Sequence, residues 1–205
     1  MLGLTAVAGA AYAAPPVVTP RPPACIPTAG NSVVATTIAP ATGWASVRVY
    51  FRKGGEKQYY YLEARVEGDG RYWVALPKPE FDTKTVDYYL AVEDAGGKVT
   101  TTAPQTLQVT GGCSASLTTE EGKYAKNLVI GETFPEQREK EVLGFMCDGI
   151  ISRINARGDL LPDEQCRKVL AAQQRKAVWL PIAAIGSAGS GVVIIHKPEQ
   201  SQARP

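Results

Sequence analysis

From Asn31 to Thr110, apolar and polar residues alternate with a period of two. A strand with one face on a core and the other toward solvent requires this alternation, because successive side chains point to opposite sides. In WASVRVYFRKGG, Val47, Val49 and Phe51 fall on one side and Arg48, Tyr50 and Arg52 on the other. QYYYLEARVEGDGRYWVALPKP predicts two more strands around Asp69-Gly70, a dipeptide suited to a type I′ hairpin turn. Leu62, Ala64 and Val66 face inward on the first, and Tyr72, Val74 and Leu76 on the second. KTVDYYLAVEDAGGKVTTTAP supplies Val86, Tyr88, Leu90 and Val92, a turn at Asp94-Ala95-Gly96-Gly97, and a Thr-rich strand. With SVVATTIAP as the first, about seven short strands predict a two-sheet sandwich over residues 31–112.

After Cys113 the pattern changes. Residues 113–176 predict a small helical segment. A Thr-x-Glu arrangement in SLTTEEGKY suits a helix start, with Tyr124, Leu128 and Val129 on its apolar side. Val142, Phe145, Met146, Ile150 and Ile154 then recur at helical spacing, interrupted by Gly144 and Gly149. Gly158 marks a stop, and Pro162-Asp163-Glu164 opens another helix.

The most apolar stretch comes last. Residues 177–195 are 19 consecutive uncharged residues between Arg175-Lys176 and His196-Lys197. As a helix they would reach about 28 Å, close to the ~30 Å hydrocarbon thickness of a bilayer. Trp179 sits where an interfacial aromatic belongs. Ala184 with Ala188, Gly186 with Ser190, and Ser187 with Gly191 are small residues four apart, a spacing that lets another membrane helix approach closely. A single transmembrane helix is the expectation, followed by a tail at 196–205. A buried core helix and an unstructured tail are the alternatives. The Gly/Ser run lacks the Lys-Ser/Thr that a phosphate loop needs.

Residues 1–14, MLGLTAVAGAAYAA, carry no charge and end in an A-x-A pattern like the cleavage site of a signal peptide. The Pro-rich run 15–30 then predicts an extended linker. Export would place the sandwich outside the cytoplasm. The flanking charges run the other way, with Arg167, Lys168, Arg175 and Lys176 before the span and only Lys197 and Arg204 after it. Four dispersed cysteines match structural disulfides in an oxidising compartment better than a zinc site. Of the three possible pairings, Cys25–Cys113 brackets the strand-rich region and Cys147–Cys166 brackets a short turn. A net charge of +2 gives no case for nucleic acid. The one histidine, His196, lies in the tail, and no nucleophile elbow or ligand cluster stands out, so neither an enzyme nor a cofactor is expected. Arg157-Gly158-Asp159 matches an adhesion tripeptide, a match short enough to arise by chance.

The strands GRYWVALP (Gly70 to Pro77) and YYLAVEDAGG (Tyr88 to Gly97) resemble those of immunoglobulin-like or fibronectin-III-like accessory domains of bacterial secreted and envelope proteins. That resemblance implies a mainly β, immunoglobulin-like sandwich, and here a C-terminal anchor would follow it. The faces opposite the core carry Arg48, Tyr50, Arg52, Tyr61, Arg65, Trp73 and Tyr89. Alternating aromatics and arginines are what protein interfaces favour. The same set could stack on sugar rings, or be ordinary exposed strand residues. The expectation is a docking subunit that meets other membrane-protein subunits through its sandwich and its span in the lipid bilayer. A glycan- or peptidoglycan-binding surface module is the alternative.

Overall fold

The computed structural model describes residues 15–134 and 142–162, together with Cys166 and Lys168. The signal-like segment, the tail and the expected span with Ala184, Gly186, Ser187, Ala188, Ser190 and Gly191 lie outside the described residues.

The described chain is mainly β, in two sheets. The smaller has the order β1 (Val17–Arg21), β3 (Ser32–Ala39), β7 (Arg71–Leu76), β6 (Arg65–Gly68). The larger runs β13 (Leu160–Pro162), β12 (Ile150–Ile154), β11 (Leu128–Glu132), β5 (Tyr60–Glu63), β4 (Trp44–Lys53), β8 (Thr85–Asp94), β10 (Gln105–Thr110), β2 (Ile26–Pro27), with β9 (Val99–Thr101) paired to β8. Strict alternation places Val49, Phe51, Leu62, Val86, Tyr88 and Leu90 of the larger sheet and Val34, Val74 and Leu76 of the smaller in one buried cluster. The hairpin between β6 and β7 turns at Asp69 and Gly70, both at positive φ (50° and 71°), as a type I′ turn requires.

Three expectations are corrected. First, residues 15–30 are not a linker. β1 pairs with β3, and β2 pairs in parallel with β10. Pro20 is tolerated because β1 is an edge strand, where one backbone N–H is dispensable. Ile26 is fully buried, and the Cys25–Cys113 disulfide (Cα–Cα 6.0 Å) fastens this segment beside the end of β10.

Second, the strand through Leu62 breaks at Ala64, where the chain passes from the larger sheet to the smaller. Val66 is therefore 67% exposed rather than inward.

Third, the region after Cys113 is not a separate helical segment. Its one described helix, α1 (Thr119–Tyr124), has the expected cap: Thr118 accepts from Glu121 N–H while the Glu121 carboxylate accepts from Thr118 N–H. Leu128 and Val129 already lie in β11, which joins β5 antiparallel and so extends the larger sheet. β12 adds in parallel to β11, and β13 antiparallel to β12. Gly144 and Gly149 adopt φ of 80° and 92°, which interrupts the apparent helical periodicity. Apolar residues at that spacing are instead used one at a time. Phe145 packs edge-on against Phe51 and bridges to Pro79, and Ile150 enters the core from β12. Cys147–Cys166 forms as expected (Cα–Cα 4.9 Å), with Cys166 fully buried.

Where β11 and β12 meet the core, Arg153 Nη1 donates to Glu132 Oε1 at 3.1 Å, with side-chain exposures of 7% and 1%. Deleting one charge of such a pair leaves the other desolvated. Glu132→Ala is therefore expected to lower the unfolding free energy by about 3–5 kcal/mol, checked by the urea midpoint. A loss below about 1 kcal/mol, typical of exposed pairs, would mean that water reaches Arg153.

Candidate functional site

The outward side chains of the larger sheet fall into three rows across its strands. The register pairs Tyr89 with Tyr50, Tyr50 with Tyr61, Tyr61 with Gly131, and Gly131 with Ile154. This central row is flanked by one row holding Arg48 and Glu63 and another holding Arg52 and Asp87.

Contacts within this face are dense. Tyr50 and Tyr89 stack at 4.8 Å between ring centroids with planes 1° apart, and Tyr61 meets Tyr50 tilted at 5.6 Å. Arg48 lies 5.0 Å above the Tyr61 ring and is paired with Glu63 at 2.5 Å. Arg52 lies 4.3 Å above Tyr59 and is paired with Asp87 at 3.1 Å, while Thr106 Oγ1 donates to the same carboxylate at 2.7 Å. Tyr59 meets Tyr89 edge-on at 5.0 Å. Each arginine is held by a carboxylate while its planar cation rests on an aromatic ring, which fixes its geometry before any partner arrives. All these residues except exposed Glu63 and Thr106 are half-buried. Burial raises the Tyr61 and Tyr89 hydroxyls above their ordinary pKa, so both are neutral donors at physiological pH.

Gly131 explains why Tyr61 lies flat. A Cβ on Gly131 would stand 2.0 Å from Tyr61 Cζ, so the ring occupies the space a side chain would take. Tyr59 and Gly131 are members of this face that outward alternation on the early strands did not mark. Tyr59 precedes its strand, and Gly131 belongs to the segment expected to be helical.

Of the seven candidate surface residues, Arg48, Tyr50, Arg52, Tyr61 and Tyr89 share this face. Arg65 and Trp73 do not. They pair with each other in the smaller sheet, and Trp73 is 7% exposed because Tyr124 of α1 packs edge-on against it at 5.2 Å. Trp73 does leave the core face, as alternation predicts, but α1 then covers it. Arg65 stacks above Tyr124 at 5.7 Å. These three residues and Tyr61 line a cleft of about 570 Å³ between the β5–β6 crossover, α1 and β11–β12. Tyr124 donates its hydroxyl to the Glu63 carbonyl at 3.0 Å. Arg157-Gly158-Asp159 forms the β12–β13 turn, where Asn155 Oδ1 accepts from Arg157 N–H and Asp159 N–H. No group of three or more His, Cys, Asp or Glu side chains among the described residues is placed to hold a metal.

No family model matches the chain, and no curated protein matches it. Among solved structures, the chain is similar to an engineered protein whose crystal structure was determined at 1.98 Å. The two are 18% identical with a TM-score of 0.36, over 47% of this chain and 20% of the other. The matched part thus spans about a fifth of that protein's length, and a likeness at this level carries no argument about fold or activity.

Two outcomes follow from this geometry. Gly131→Ala is expected to displace the Tyr61 ring and to lower stability by about 1–3 kcal/mol, measured by urea denaturation. In a Tyr61→Ala background the same change should be nearly neutral, and an equal loss in both backgrounds would contradict the contact. The second concerns pH. Burial pushes both Tyr124 and Tyr88 up to about 12, whereas tyrosines of the unfolded chain ionise near 10. Between those values the unfolded state binds fewer protons than the folded one, so stability falls as pH rises through that window. Urea midpoints measured from about pH 9 to 12 check this slope, and Tyr124→Phe should flatten it.

Proposed function

We propose that this chain is a non-catalytic, membrane-anchored envelope protein whose exported sandwich docks a protein partner on the outer face of the larger sheet. The observation that carries the reading is the Tyr89–Tyr50–Tyr61 row with Arg48 and Arg52 braced over neighbouring rings. Rigid aromatics and arginines fixed by internal carboxylates lose little conformational freedom on binding, which is why such residues concentrate binding energy. The carboxylates that fix the arginines also balance their charge, so such a face favours a partner offering shape and apolar area over one offering a strong opposite field.

Several features support the broader placement. β1-β3-β7-β6 opposite β5-β4-β8-β10 follows the strand order of immunoglobulin-like sandwiches, in which four strands of one sheet face a second sheet built around the third and sixth. The two disulfides suit an oxidising compartment. No helix among the described residues is long and apolar enough to cross a membrane. Anchoring therefore rests on the uncharged stretch 177–195, outside the described residues. A glycan platform on this same face has less support, because Trp73, its largest expected ring, is turned away into the cleft.

Co-purification from detergent-solubilised membranes after carbonate washing tests both parts. The chain should stay in the washed membranes and bring a discrete partner with it. Tyr50→Ala should weaken that association by 2 kcal/mol or more, about 30-fold, as a central hot spot does. A chain released by carbonate contradicts the anchor, and an unchanged partner yield with Tyr50→Ala contradicts the docking face.

A further inference from the structure

We infer that the cleft beside α1, which borders the docking face at Tyr61, is a binding site for an acidic sugar. Its volume of about 570 Å³ lies within the range of small-molecule sites. Its walls combine Trp73 and Tyr124, set edge-on to each other, with the apolar side chains of Val129 and Ile154. Trp73 is only 7% exposed, so most of its indole is packed into the wall.

Charge selects among ligands. Glu63 at the cleft is engaged by Arg48 on the far side of β5. Arg65 and Lys123 both line the cleft, and neither forms a salt bridge among the described residues. Glu120 is the one other carboxylate in the lining. The site thus offers two cations against one unengaged acid, an arrangement suited to a ligand carrying a carboxylate. The Arg65 guanidinium, already stacked on Tyr124, presents a planar fork that matches a carboxylate bidentately.

The body of the ligand follows from the remaining groups. Aromatic and aliphatic walls accept the C–H face of a sugar ring, while the Glu120 carboxylate and the Asn127 side-chain carbonyl suit a hydroxylated edge, the Asn127 amide N–H being donated to the Lys123 carbonyl at 2.8 Å. An aromatic acid would use the walls and the cations but gain nothing from those polar groups, which are exposed and would stay hydrated. A neutral sugar would leave both cations uncompensated. The hydroxylated ring with one carboxylate uses every part of the site.

The test is calorimetric titration of the full chain with methyl glucuronoside, methyl glucoside and benzoate. The first two differ only in the carboxylate, and the third keeps a carboxylate without the hydroxyls. The glucuronoside should bind at least tenfold more tightly than either of the others, in line with one charge-assisted interaction. Arg65→Gln and Lys123→Gln, both at exposed positions, should each remove most of that preference. No measurable binding of the glucuronoside overturns the inference, as does equal binding of the glucoside, tighter binding of benzoate, or a preference that survives both substitutions. Partner co-purification by the same two variants separates this site from the docking face. Retained partner with lost glucuronoside is the expected result, and loss of both would make the cleft part of the protein interface.

Discussion

The antiparallel pairing of β4 with β8, in register from Trp44–Asp94 to Lys53–Val86, is the constraint on which the rest depends. It is the most extensive contact between any two described elements and sets which way every side chain on both strands points. One face of that pair places Val49, Phe51, Tyr88 and Leu90 in the core, and the other places Arg48, Tyr50, Arg52 and Tyr89 outside. A slip of one residue would exchange the two sets. The stability of the sandwich and the character of its outer face are therefore one choice of register.

The chain after Cys113 completes the molecule rather than following it. β11 adds to β5, so that Gly131 comes to lie under Tyr61 and extends the central row. The connection from β11 to β12 crosses the loop after β7, where Met146 N–H donates to the Lys78 carbonyl and Thr83 Oγ1 to the Gly144 carbonyl. α1 closes over Trp73 and forms one wall of the cleft. The two disulfides fasten these additions at Cys25–Cys113 and Cys147–Cys166.

The period-two pattern made the central strands legible because each has one buried face, and the Asp69-Gly70 turn was readable for its demand on positive φ. Both cysteine pairings followed from what the cysteines bracket. The pattern misled where local signals and tertiary context disagree. Prolines at 16, 20 and 22–23 resemble a linker, yet Pro20 falls inside the edge strand β1, which tolerates it, and the others lie just outside that strand. Val142, Phe145, Ile150 and Ile154 fall at helical spacing, but Gly144 and Gly149 turn the chain between them. For the outer face, alternation identified Tyr50, Tyr61 and Tyr89 correctly. It had no means of knowing that a helix from elsewhere would cover Trp73, since no local pattern records which surface a later segment will occupy.

The central claim is that the aromatic row, and not the opposite sheet, meets a partner. Site-specific photo-crosslinking in intact membranes measures this most directly, with the photoreactive residue placed at exposed Thr106 beside the row or at exposed Arg71 on the smaller sheet. The account predicts a discrete higher-mass adduct from position 106 and none from position 71. Adducts from position 71 alone, or none from either site, would contradict it.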